Sequence, residues 1–474
     1  MTALSALLLA LALQADDAPA QAAPERQVSL AQAVDGAPVC GLGAQFHAGR
    51  RAALRAALDN GLVVLRGLDA TRDYGVFRQD KVFWYLTGVE SPGAALLMDN
   101  DSGREILFLP DDDNLHRSLE QWEGEVWDAS DEWVGELTGF AEVRPISQLI
   151  ELTGEFMRND ARNIWTSMVP HVELGGARDR ASPYNRRRQR DPLDARPARE
   201  QAFAAALEAE FGYTVRDFSP FLDAIRLIKQ PEELDALRRA AHAGSLAMIE
   251  AMRSTRPDLG EWELDALMTW LFRREGADGP AYHAIVGSGP NSCVLHYSAS
   301  NRRMRSGEVV LIDYGPEVDH YTTDITRTWP VDGTFTEQQA EMYDAVLAAQ
   351  LAGIDAARPG ASLGSVTNAC RRVLAEAGLS HLMPHGACHW VGMEVHDPYQ
   401  PDNARFLPGM VFTIEPGVYD PETGIGIRIE DVIVITEDGC EVLTEGVPKA
   451  RQEVEALVRS TGILDREDLG QDEG

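Results

Sequence analysis

Four carboxylates set in two strand–turn–strand segments constrain this chain more than any other feature. VVLIDYG and TTDITRTWP carry Asp313 and Asp324, and both runs are rich in the β-branched and aromatic residues of strands. The link PEVDH between them is turn-like, and a hairpin folded near Val318 and Asp319 sets Asp313 directly opposite Asp324. VFTIEPGVY and GIGIRIEDVIVI repeat the arrangement around a turn from Pro421 to Gly424, which sets Glu415 opposite Glu430. Like charges facing each other across a strand pair are destabilising. Two such pairs in one domain require a cation. Hard divalent ions suit oxygen ligands, and one histidine, His389, tunes the site toward Mn, Co or Zn.

Length and charge bound the rest. The chain has 474 residues, enough for two to three domains, and a hydrophobic share of 44% supplies their cores. The 75 acidic and 43 basic residues give a formal charge of −32. That balance argues against a nucleic-acid or anionic-membrane partner. The five cysteines (Cys40, Cys293, Cys370, Cys388 and Cys440) include no CxxC and form no disulfide framework. Each reads as a small buried hydrophobe, Cys388 beside His389 included. Ala3 to Leu13 is an apolar stretch of signal-peptide length, although no Lys or Arg precedes it. Residues 1–22 are therefore read as a candidate signal segment of an exported protein, with a cytoplasmic protein bearing an apolar start as the alternative. The stretch is too short to span a membrane, and no other long apolar run exists.

The chain divides near residue 220. Residues 40–220 form an N-terminal domain, of which residues 45 to about 150 alternate helical and strand patterns, as in an α/β domain. There RRAALRAALDNGL reads as a helix ending at Gly61, and LVVLRGL, GAALLMDN and REILFLP read as strands. Residues 225–460 read as an α+β domain with an antiparallel sheet. It opens on a helix at Pro231, whose first turn holds Glu232 and Glu233. Further helices are expected near 337–356 and 362–377. The two carboxylate hairpins point to an internal pseudo-duplication. Residues 461–474 form an acidic tail.

Two motifs mislead. Gly360-Ala361-Ser362-Leu363-Gly364 matches the nucleophile-elbow pattern, but a helix precedes it where the elbow needs a strand. Ser362 reads as a helix N-cap. The basic run Arg186-Arg187-Arg188-Gln189-Arg190 reads as a solvated loop. The histidines are more telling. HGACHWVGMEVHD holds His385, His389 and His396 beside the acidic hairpins, and VGSGPNSCVLHYS adds His296. Arg428, two residues from Glu430, lies on the same strand face and can orient a carboxylate ligand.

At these residues the chain resembles the pita-bread metallopeptidases, in LIDYG, TTDITRTWP, PHGACHWVGMEVHD, FTIEPGVY and GIRIEDVIV. Within that superfamily the chain resembles the aminopeptidase P and prolidase branch, and FRQDKVFWYLTGVESPGAALLM resembles the N-terminal domain of aminopeptidase P. The resemblance covers residues 45–150 and 225–450. It implies two divalent ions, Mn2+ foremost, with Co2+ or Zn2+ as alternatives. Asp313 would bind one ion, Asp324 and Glu430 would bridge the two, and His389 and Glu415 would complete the other. His296, His385 and His396 match positions that contact substrate or steady the tetrahedral intermediate. Arg428 matches an arginine beside the last ligand, and Glu415 would shuttle the proton. The segment 150–220 and the sequence HDPYQPDNARF depart from the family pattern, and Asp73 is a weak candidate for an N-domain acid.

The activity implied is that of an Xaa-Pro aminopeptidase, which releases the N-terminal residue ahead of proline through a metal-activated hydroxide. The resemblance also implies a homo-oligomer, a dimer or tetramer. A prolidase restricted to Xaa-Pro dipeptides is the alternative. A metal-free binding protein on the same fold would have lost ligands that this chain keeps.

Overall fold

The computed structural model describes residues 38–69, 76–111, 126–158, 163–398 and 404–465. Contacts divide it into two units. One runs to Arg226, and the other comprises Leu227 onward together with Leu174–Gly176.

The N-terminal unit is built on a six-stranded mixed sheet. Its strands are β1 (Leu62–Arg66), β2 (Ala95–Asp99), β3 (Glu105–Leu109), β4 (Val143–Pro145), β5 (Ile164–Thr166) and β6 (Val215–Asp217), in the order β4-β3-β2-β1-β5-β6. Its helices are α1 (Ala44–Ala57), α2 (Lys81–Thr87), α3 (Trp133–Thr138), α4 (Leu149–Met157), α5 (Arg178–Gln189), α6 (Arg199–Phe211) and α7 (Ser219–Leu227), the last ending at the boundary. Leu62, Val64, Leu97, Ile106 and Phe108 of the sheet pack with Leu149, Met157 and Leu207 of α4 and α6 in one apolar cluster.

Two sequence expectations are corrected in this unit. Helix α1 stops at Ala57 rather than at Gly61. Gly61 instead admits a close approach: its φ is +131°, and a Cβ there would lie 2.3 Å from the carbonyl oxygen of Asn163. The basic run at 186–190 is not a loop but the last turn of α5, where cationic side chains complement the helix dipole. The segment 150–220, unmatched by pattern, supplies β5, β6 and the helices between them. The motif FWYLT is α2, buried along its whole length and capped by Asp80, whose carboxylate accepts from the Phe83 N–H at 2.9 Å. Its sequence is thus dictated by packing.

In the second unit the chain places a helix pair before each carboxylate hairpin. First come α8 (Pro231–Ser254) and α9 (Glu261–Arg274), followed by β7 (Gly279–Pro280), β8 (Ile285–Ser288), β9 (Val309–Asp313), β10 (Pro316–Val318), β11 (Tyr321–Thr322) and β12 (Thr326–Pro330). Then come α10 (Glu337–Ala356) and α11 (Leu363–Glu376), followed by β13 (Val411–Ile414), β14 (Gly417–Asp420), β15 (Ile425–Arg428), β16 (Asp431–Ile435) and β17 (Cys440–Val442), and finally α12 (Arg451–Val458). Every pairing in this unit is antiparallel. Helix α8 starts with a capping box, the Gln230 N–H donating to Glu233 Oε2 at 2.8 Å. Ser362 caps α11, accepting from the Ser365 N–H at 3.2 Å, so it is no nucleophile elbow.

The first hairpin differs from expectation by two residues. Asp313 pairs with Thr326, not with Asp324. The pivot is Asp319–His320, both at positive φ (48° and 63°), one residue beyond the expected turn. Part of the link, Pro316–Val318, is itself strand. A two-residue slip keeps the same strand face, so Asp313 and Asp324 still point together, diagonally rather than directly across. Gly315 permits the two arms to close, since a Cβ there would lie 2.0 Å from the Thr323 carbonyl oxygen. In the second hairpin Ile414 pairs with Asp431 and Gly417 with Arg428. That common register sets Glu415 level with Glu430.

Candidate metal centre

Asp313 ends β9, and Asp324 lies in the short link before β12. The Tyr282 hydroxyl stands between them, 2.7 Å from Asp313 Oδ1 and 2.5 Å from Asp324 Oδ1. A phenol carries one proton, which it shares between the two carboxyl groups. Burial, reinforced by the Asp324 charge, pushes Asp313 up to about 7.

Glu430 sits between β15 and β16 and is 1% exposed. Its Oε2 accepts from Thr326 Oγ1 at 2.6 Å. Its Oε1 is buried and has no hydrogen-bond partner among the described residues. Burial first, then the Asp324 charge, raises its pKa well above the carboxylate range.

The His389 backbone is locked to β13: its N–H donates to Thr413 Oγ1 at 3.1 Å, and its carbonyl accepts from the Thr413 N–H at 2.9 Å. Nδ1 faces the Trp390 carbonyl at 3.3 Å. A proton on Nδ1 leaves Nε2 as the ligand atom. Nε2 lies 3.4 Å from Asp324 Oδ2, 3.7 Å from Glu415 Oε1 and 3.9 Å from Glu430 Oε1. One atom each from Asp324, His389 and Glu430 falls within 4.8 Å of the other two. Burial opposes a charged imidazole here, yet the Asp324 hydrogen bond and the Glu415 charge outweigh it and push His389 up to about 9. The same contact holds Asp324 below its usual range against the effect of burial.

Arg428 joins the two hairpins. Nη2 donates to Asp313 Oδ2 at 2.5 Å, Nη1 to Tyr419 Oη at 2.9 Å and Nε to Thr326 Oγ1 at 3.0 Å. The sequence suggested that Arg428 orients a carboxylate on its own strand face; the one it grips is Asp313.

Of the other histidines, His396 packs against His389, ring centroids 4.2 Å apart and planes tilted by 50°. His385 Nδ1 lies 2.7 Å from the Gly386 carbonyl, so Nε2 accepts from the Tyr419 hydroxyl at 3.0 Å. His296 is exposed on the segment after β8, and its neighbours Leu295 and Tyr297 pack against the cluster containing Tyr419. Asp73 lies outside the described residues. Cys388 is absent from the ligand cluster, and all five cysteines are free thiols.

Tyr282, Thr326 and Tyr419 were not anticipated. Tyr419 was accessible to alternation, being two and four residues from Gly417 and Glu415. Tyr282 carries no such signal, since its place depends on β8 pairing Ile285 with Asp313.

Four carboxylates converge with His389 and Arg428 as the countercharges in contact, and the buried Glu430 Oε1 is orphaned. An oxygen-rich set with one imidazole nitrogen fits divalent ions at the hard to borderline end.

Residues 235–437 match the model of metallopeptidase family M24, and residues 47–165 match the aminopeptidase P N-terminal domain. The Xaa-Pro aminopeptidase of Escherichia coli is 36% identical over 437 residues, covering 83% of this chain and 91% of the relative. The chain belongs to metallopeptidase family M24. Among solved structures, aminopeptidase P from Escherichia coli with the inhibitor Pro-Leu aligns with a TM-score of 0.71 at 32% identity, covering 87% of this chain and 98% of that one. The Xaa-Pro dipeptidase of Pyrococcus furiosus is 37% identical over 237 residues, 49% of this chain and 68% of the relative. This M24 chain has the α/β N-terminal domain and the α+β pita-bread domain that its motifs implied. The metallopeptidase family to which it belongs implies divalent metal ions, and Asp324, His389 and Glu430 form a group that could hold one. No helix among the described residues is long and apolar enough to cross a membrane, and the candidate signal segment lies outside those residues.

Proposed function

We propose that this chain is a metal-dependent Xaa-Pro aminopeptidase, removing the first residue from peptides with proline second. The observation that carries the reading is the orphaned Glu430 Oε1 facing His389 Nε2 at 3.9 Å. It lies in a chain that spans 91% of an Xaa-Pro aminopeptidase. Two divalent ions, Mn2+ foremost, would be held by Asp313, Asp324, His389, Glu415 and Glu430. Asp324 and Glu430 would be shared between them. Such ions supply Lewis acidity and lower the pKa of a bound water.

The protein's own groups have distinct tasks. Glu415 is the most open of the four carboxylates, its side chain 17% exposed against 13%, 6% and 1% for Asp313, Asp324 and Glu430. We assign it to accept the proton of the attacking water and return it to the leaving nitrogen. His396, against His389, is assigned to steady the carbonyl oxygen as charge develops, and His385, whose two ring nitrogens are engaged by Gly386 and Tyr419, to contact substrate through its ring. His296 is assigned to contact substrate. Proline's nitrogen bears no N–H, so the pocket must accept a tertiary amide that general peptidases handle poorly. A homo-oligomer, dimer or tetramer, belongs to the same reading.

A second reading, dipeptidase, is favoured by the dipeptidase relative's likeness over half the chain. Comparing Xaa-Pro, Xaa-Pro-Xaa and Xaa-Ala-Xaa peptides separates the two. The aminopeptidase reading expects the proline tripeptide to be cleaved at least as fast as the dipeptide. Turnover of dipeptides alone would establish the second, and equal cleavage of the alanine peptide would refute proline selectivity.

A further inference from the structure

The connection from β8 to β9, residues 289–308, holds no strand of its own and carries His296. One carboxylate grips it at two places. Glu261, the first residue of α9, is 0% exposed. Its Oε1 accepts from the Ser288 N–H and the Ser288 hydroxyl, each at 2.8 Å, and from Asn291 Nδ2 at 3.1 Å. Its Oε2 accepts from the Tyr297 hydroxyl at 2.9 Å and from the Arg302 N–H at 3.0 Å. In sequence, His296 lies between the two groups of donors and next to Tyr297.

Burying a carboxylate is costly unless donors surround it. Here all five donors come from residues 288–302, and the N-terminus of α9 adds a favourable dipole. A satisfied buried polar network fixes one conformation of the chain around it. Arg302 reinforces the hold, since its Nη1 reaches Ser288 Oγ at 2.9 Å and its Nη2 pairs with Glu308 at 2.5 Å. The same segment is docked on the strand that carries Arg428. The Gly426 N–H of β15 donates to Ser292 Oγ at 2.8 Å, and a Cβ on Gly426 would lie 2.0 Å from the Ser292 carbonyl oxygen. Leu295 and Tyr297 flank His296 and pack against the cluster containing Tyr419, whose hydroxyl meets Arg428 and His385.

We propose that Glu261 is a positioning residue of the peptidase reaction: by holding residues 288–302 on both sides of His296, it sets where that histidine meets the substrate. It acts through His296 and is not one of the clustered ligand residues. This role depends on His296 contacting substrate, as the aminopeptidase reading has it. A contact made equally in the bound substrate and in the transition state shows in KM and leaves kcat unchanged. Glu261→Gln keeps the volume but turns an –NH2, which cannot accept, toward one of the two groups of donors.

The test is steady-state kinetics of the Mn2+-loaded, full-length chain on the peptide Ala-Pro-Ala, with Glu261→Gln, His296→Ala and the double variant. Glu261→Gln should raise KM by about tenfold, the worth of one hydrogen bond to substrate, with kcat and bound metal near wild type. Added to His296→Ala it should cost nothing more, because both act through one contact. Hydrogen exchange should quicken within residues 288–302 and stay native around the metal ligands. Should Glu261→Gln fail to fold, Tyr297→Phe, which removes one of the five donors, should raise KM by a smaller factor that also vanishes beside His296→Ala. If the folded variant keeps a wild-type KM, lowers kcat or bound metal instead, or multiplies the loss of an impaired His296→Ala, the positioning role is overturned while the aminopeptidase reading stands. A His296→Ala variant with wild-type KM overturns the substrate contact and the role with it, and a wild-type chain that leaves Ala-Pro-Ala uncut overturns the aminopeptidase reading as well.

Discussion

Arg428, on β15 of the second hairpin, donates Nη2 to Oδ2 of Asp313, on β9 of the first, at 2.5 Å. The two carboxylate hairpins are thereby joined by a cation that is itself 3% exposed. Its three nitrogens reach three different partners, a geometry that an ammonium cannot copy. Arg428→Lys should therefore behave almost as Arg428→Ala. Each should lower kcat/KM or metal affinity by roughly 10–100-fold, as the loss of groups that orient metal ligands does. Steady-state kinetics with metal content measured in parallel checks this. A lysine variant with wild-type values would show that the fork is dispensable.

Asp324→Asn and Glu430→Gln should each cost activity by orders of magnitude and lower bound metal, while circular dichroism stays native. The reason is that Asp324, His389 and Glu430 contribute the converging atoms. His396→Ala should lower kcat more than metal content, because its ring packs against His389 and does not belong to that cluster. An emptied site in His396→Ala would make His396 a ligand.

How much of this was legible beforehand depended on turns. The Glu415–Glu430 register followed from a Pro- and Gly-rich turn whose centre is plain in the sequence. The first hairpin was off by two residues because Asp319 and His320 both take positive φ. Asp and His both tolerate that conformation, but nothing in the sequence decides between a pivot there and one a residue earlier. The error left the face unchanged, so the facing carboxylates survived it. Tyr282 was invisible for another reason. Its position is fixed by β8 pairing with β9, a long-range register that no local pattern encodes. FWYLT was read as a mark of family, and the structure shows what packing demands of it: a fully buried helix.

Metal binding should release protons. In the metal-free site His389 is held up to about 9 and Asp313 up to about 7. Near neutral pH the imidazole is thus protonated, and a metal must displace that proton to reach Nε2. Affinity should fall as pH falls below about 9. Calorimetry in buffers of different ionisation enthalpy should count at least one proton released per chain. A heat independent of the buffer would contradict the imidazole's role.

Asp431, next to Glu430, anchors the sheet electrostatically. Arg327 Nη2 meets its Oδ1 at 2.7 Å with both side chains 0% exposed, and Lys449 Nζ meets Oδ2 at 2.5 Å. Burial opposes ionisation, but the Arg327 and Lys449 charges prevail and hold its carboxyl below the usual range. A depressed folded pKa contributes stability that is complete above the unfolded value of 3.8 and is lost as pH falls through the folded one. Asp431→Asn should destabilise by about 3–5 kcal/mol at neutral pH, since it strands the fully buried Arg327 and the partly buried Lys449. Its stability should also decline less steeply than wild type in acid below about pH 4. Denaturant unfolding across that range checks both.

The central claim is that the acidic centre works through divalent metal on peptides with proline second. The most direct test strips the purified chain with chelator, confirms the loss by metal analysis, and follows release of the first residue from an Xaa-Pro-Xaa peptide as Mn2+ is returned. The account predicts no turnover in the stripped chain and a return of activity that saturates at two ions per chain. Full turnover by a chain shown to hold no metal would contradict it.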